Sequence, residues 1–178
     1  MAAGCKEKPP GGEHESEDGT YFSMRRFAQD QWNTHLGEPI LLMKTVRVNE
    51  GHIDTSYASS DTLNWGEIFS YFFKAEICDP EYLDRYKFSQ FEDDMDDTYN
   101  FFYEALEKDL YTRKLLLTTE RENMMAKGIY VEAVEKSLLV DKVLKLYYKP
   151  MKRIQIQVTE TPMFGKKKHT VTEYEFMR

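Results

Sequence analysis

The chain has 178 residues, a formal net charge of −7 and two cysteines, Cys5 and Cys78. The length is enough for one domain with a sizeable core. Two cysteines make neither a disulfide framework nor a zinc spacing, so pairing between them is not expected and a reducing compartment, cytoplasmic or nuclear, is. No run of about 18 apolar residues appears, so no membrane insertion is expected. The opening MAAGCKEKPPGG carries no apolar signal core or Arg-rich transit pattern.

Charge is unevenly spread. Residues 1–109 hold 10 Lys/Arg against 23 Asp/Glu, and residues 110–178 hold 14 against 8. The two parts either pack together and neutralise each other or present opposite charges to different partners.

Residues 1–19 are rich in Pro, Gly, Glu and Ser and are read as a disordered tail, leaving 20–178 as a single globular domain. From Met24 the apolar positions Phe27, Ala28, Trp32, His35 and Leu36 recur at three- and four-residue spacing, which predicts an amphipathic helix stopped by Gly37. After Pro39, β-branched residues and the shared parity of Ile40, Leu42, Val46 and Val48 predict a strand over 40–48. Asn49–Gly51 offers a turn and His52–Tyr57 a returning strand. A helix over Thr62–Ile77, capped by Asp61 or Thr62, aligns Phe69, Phe72, Phe73 and Ile77.

The densest stretch follows: 13 of the 25 aromatic residues lie between Trp65 and Tyr103, so the core is expected to condense there. Asp79-Pro80-Glu81 reads as the start of a short helix to Phe88. The acidic run 92–97 precedes what reads as a longer helix from Thr98 to Lys127, ended by Gly128. Thr119 and Glu122, spaced as a capping box, offer a break near Thr118 instead. A further helix is expected over Ile129–Tyr148, closed by Pro150. Ile154, Ile156 and Val158 then alternate with Gln155, Gln157 and Thr159, which predicts a half-buried strand, and KKKHTVTEYEF supplies its hairpin partner. The expected class is therefore α+β: a mainly helical domain with a small antiparallel sheet made of the strand near 40–48 and the C-terminal hairpin.

No catalytic, metal or cofactor motif emerges. An EF-hand register started at Asp96 puts Phe101 where the loop requires glycine. His14, His35, His52 and His169 have no zinc-type spacing, and there is no nucleophile elbow or phosphate-binding loop. Cys78 reads as a structural thiol. No metal, cofactor or catalytic residue is assigned, and an enzyme with an unrecognisable site is the third reading. Second stands nucleic-acid binding through Lys152, Arg153, Phe164, Lys166, Lys167 and Lys168, a lysine-rich hairpin with one aromatic beside it. Three turn lysines are also an ordinary guard against edge-to-edge aggregation. The first reading is a non-enzymatic adaptor or structural subunit of an intracellular assembly that binds protein partners. Tyrosines in excess of what a core can satisfy support it, as does a polar, uncharged strand face at Gln155, Gln157 and Thr159 suited to strand addition.

Overall fold

The computed structural model describes residues 22–177 apart from Leu36, Glu38 and Leu83, so the tail read over 1–19 lies outside the described residues. In chain order the elements are α1 (Met24–His35), β1 (Leu41–Val48), β2 (Ile53–Ser59), α2 (Trp65–Lys74), a short 3-10 turn (Pro80–Tyr82) and seven more strands. These are β3 (Tyr86–Asp93), β4 (Thr98–Ala105), β5 (Thr112–Glu120), β6 (Ala126–Glu135), β7 (Val140–Lys149), β8 (Arg153–Pro162) and β9 (Lys168–Met177). Among the described residues all nine strands form one antiparallel sheet in the order β2-β1-β9-β8-β7-β6-β5-β4-β3. From β3 to β9 each strand pairs with the next, and the β1–β2 hairpin is added beyond β9.

This corrects the expectation of a mainly helical domain with a small sheet. The helices expected over 80–88, 98–127 and 129–148 are a single 3-10 turn and five strands. The reason lies in the outer face of the sheet. Inward residues do alternate, as with Leu115 and Leu117, Ile129 and Val131, or Leu144, Leu146 and Tyr148. Between them stand Phe102, Leu116, Tyr130, Val134 and Tyr147, which are only half-buried on the opposite face. With apolar residues on both faces the period of two is blurred, and leucines and aromatics spaced by four imitate a helix stripe. Gly128, read as a helix stop, sits inside β6.

The two helices form as expected. Gly37 takes φ +81 just past α1, a conformation a side chain would resist. Ser23 Oγ accepts the Arg26 N–H at 3.2 Å at the start of α1. In α2 the cap is Asn64, whose side-chain oxygen accepts the Glu67 N–H at 3.1 Å, a little later than the expected Asp61 or Thr62. Trp65, Ile68, Phe69 and Phe72 make its buried stripe at three- and four-residue spacing.

Laid flat, nine strands at about 4.8 Å spacing are about 38 Å wide, nearly twice the width of two helices of about 10 Å each. Yet Tyr86 of β3 and Leu42 of β1 belong to one buried cluster together with Phe27, Phe69 and Phe72 of the helices. The sheet must therefore curve around the helix pair. Tyr148 sits at the centre, fully buried, with Phe27, Phe69 and Phe72 edge-on to it at 5.5, 5.9 and 6.1 Å. Its hydroxyl donates to Gln31 Oε1 at 2.7 Å and lies 3.0 Å from His35 Nε2, which ties α1 to β7. Burial holds the Tyr148 phenol well above its usual pKa and the His35 imidazole below its own. Among the described residues no helix is long and apolar enough to cross a membrane. Cys78 is disulfide-bonded, where a structural thiol was expected.

Candidate functional site

The basic residues singled out in the sequence do not share one surface. Lys152 and Arg153 lie at the turn between β7 and β8, whereas Phe164, Lys166 and Lys167 lie in the turn between β8 and β9, and Lys168 opens β9. These are opposite ends of a ten-residue strand, a separation of about 30 Å at 3.4 Å per residue. Arg153 is also engaged within the sheet: its Nη1 is 3.5 Å from Glu173 and its guanidinium stands 5.8 Å from the Tyr147 ring centre. Phe164 is 81% exposed at the tip of its turn.

Gln155, Gln157 and Thr159 cannot receive another strand, because β8 is paired on both sides, with β7 and with β9. Strand addition needs unpaired backbone. Among the described residues the sheet leaves it at its two ends, β2 and β3.

These two edges differ in kind. β3 (YKFSQFED) carries Lys87, Glu92 and Asp93, and Arg121 reaches Glu92 at 3.2 Å. Charges of this sort discourage a further strand. β2 (IDTSYAS) holds one charge, Asp54, with no lysine and no proline, and residues 53–57 are exposed throughout. Its register on β1 is unbroken from Ile53 to Ser59, without a bulge that would twist it away.

Local chemistry fixes this edge in place. Asn49 takes φ 53 in the β1–β2 turn, its backbone N–H donates to His169 O at 2.7 Å, and its side-chain oxygen accepts the His169 N–H at 2.9 Å. Ser60 N–H donates to Ile40 O at 2.8 Å at the far end of the hairpin. Backbone groups alternate sides along an antiparallel strand. In this register Asp54, Ser56 and Ala58 therefore turn their backbone groups to β1, and Thr55 and Tyr57 turn theirs outward. Beside those outward groups lies an apolar patch on the outer sheet face. Tyr57 is 62% exposed, Leu41 48% and Met177 41%. Tyr57 is paired across the strands with Met43, and Leu41 with Met177, which makes the patch continuous over three strands.

Comparison with protein-family models, with curated proteins and with solved structures found no match. The site therefore rests on its own geometry.

The sequence marks Thr55 and Tyr57 only as part of the returning strand expected over His52–Tyr57. The signal that marks them is compositional: IDTSYAS lacks the alternating large apolar residues of an interior strand and also lacks the charges of a guarded edge. Most of the aromatics from Trp65 to Tyr103 take another role. Trp65, Phe69, Phe72, Tyr86 and Tyr103 are core residues, Tyr71, Phe73, Tyr82, Phe88 and Phe101 pack against that core, and Phe91, at 50% exposure, is the most open of the set.

Proposed function

We propose that this chain is a non-enzymatic adaptor that takes an extended segment of a partner protein onto β2, continuing the sheet by one strand. The observation that supports this reading is the pairing of an unguarded, exposed β2 edge with the apolar patch of Leu41, Tyr57 and Met177. Backbone hydrogen bonds to Thr55 and Tyr57 supply affinity in such a complex, and the patch selects every second side chain of the incoming strand. The partner segment carries apolar residues on one face and, against a chain of net charge −7, a neutral or basic balance.

Proline at Thr55 removes an outward N–H and leaves the ladder to β1 intact. Tagged protein purified from the cells that make it retains a stoichiometric partner as the wild type and as Phe91→Lys, on the opposite edge. Thr55→Pro loses that partner while its melting temperature stays near the wild-type value. Equal recovery with Thr55→Pro, or recovery of the wild type alone, contradicts the reading.

A further inference from the structure

Where α2 ends, a cleft of about 400 Å³ opens between the helix and the concave face of the sheet. Its floor is apolar, formed by Leu144 of β7 and Val158 of β8. Its rim is charged: Lys74, Lys142 and Lys168 stand against Glu135 and Glu160, a balance of +1 within an acidic chain. Lys74 Nζ lies 4.0 Å from Glu135 and Lys142 Nζ 3.3 Å from Glu160, and Glu160 also faces Lys168 across the β8–β9 ladder. Two glutamates thus serve three lysines. Tyr111 completes the wall. Its hydroxyl is buried and has no hydrogen-bond partner among the described residues. Burial, with Glu135 nearby, pushes that phenol up to about 12, so it keeps its proton and remains a donor. An orphaned buried donor costs free energy unless something accepts from it.

We propose that this cleft binds a small carboxylic acid with an apolar body, the carboxylate held by Lys142 and Lys168 and the hydrocarbon laid on Leu144 and Val158. The single surplus positive charge suits a monoanion, whereas Glu135 and Glu160 repel a phosphate carrying two charges. The apolar floor excludes an acid without a body. The Tyr111 hydroxyl gains an acceptor in the bound carboxylate.

Decanoate is the probe, titrated calorimetrically into the full chain, with acetate and inorganic phosphate alongside. The wild type binds decanoate one to one and more tightly than either comparison anion. Lys168→Glu weakens binding by about tenfold or more, and Lys168→Gln weakens it less. Lys167→Glu, which makes the same change in net charge one residue outside the cleft, leaves the affinity unchanged. Tyr111→Phe lowers affinity while the melting temperature holds or rises, which separates a lost ligand contact from a lost structural one. No saturable heat with decanoate, tighter binding of phosphate, or equal losses in Lys167→Glu and Lys168→Glu would overturn the proposal.

Discussion

Glu76 shows how a single buried side chain can join elements far apart in the chain. It is 6% exposed and lies just after α2. One carboxylate oxygen accepts from Ser23 Oγ at 2.9 Å and the Arg25 N–H at 2.8 Å, at the start of α1. The other accepts the backbone N–H groups of Ile77 at 3.0 Å and Cys78 at 2.8 Å. Four donors lose their acceptor in Glu76→Ala, so the expected destabilisation is about 3 kcal/mol or more, measured by urea unfolding. His35 makes a second residue-scale case. It is packed between Trp65 and Phe176, with ring centres at 4.9 and 5.1 Å, and burial lowers its pKa. The native state therefore holds fewer protons than the unfolded state once the pH falls below the unfolded value of about 6.5. Stability contributed by neutral His35 is fully present above that pH, declines as pH falls through it, and levels off below the native pKa. Thermal melts from pH 7.5 to 5 show a steeper loss for the wild type than for His35→Gln. Parallel curves for the two proteins would count against this account.

Among the elements, the β3–β4 hairpin carries the acidic run and organises it internally. Arg121, from the β5–β6 turn, reaches Glu92 at 3.2 Å, Asp94 at 2.7 Å and Asp97 at 3.4 Å, and Lys127 Nζ donates to Asp96 O at 3.2 Å. The guanidinium also stands 5.4 Å from the ring centre of Tyr99. Arg121→Ala leaves global melting little changed, because exposed ion pairs contribute little, but amide exchange around Asp97 and Thr98 becomes faster. Unchanged exchange there would show that the turn holds itself. The same hairpin explains what the sequence could and could not reveal. α1, α2, β1 and the β8–β9 hairpin were legible because each has one apolar face, with Gly37 and Gly165 as clear stops, and β2 was legible only as the return from the Asn49–Gly51 turn. β3 to β7 were not. Their outer residues are half-apolar, their turns contain acids and lysines rather than Asn-Gly pairs, and Thr119 with Glu122 resembles a helix cap although it straddles the end of β5. The basic residues at either end of β8 looked like one site because the two turns are close in sequence, whereas an extended strand holds them apart.

At the scale of the whole molecule, a long antiparallel meander curved around two helices keeps its core on one face and ends in two unlike edges. The β3 edge carries charges of both signs; the β2 edge is bare backbone beside exposed Leu41, Tyr57 and Met177. Among the described residues β2 is the edge without guarding charges, and the proposed strand addition rests on it. Substituting Tyr57→Lys places a charge within that patch and weakens partner binding while leaving the fold intact, read by titration of the purified partner and by circular dichroism. The most direct test is amide hydrogen exchange at Thr55 and Tyr57, in the chain alone and bound to that partner. Both N–H groups exchange freely in the chain alone and are protected together in the complex, while Phe88 and Gln90 on the β3 edge stay as they were. Protection confined to β3, or none at Thr55 and Tyr57, would contradict the account.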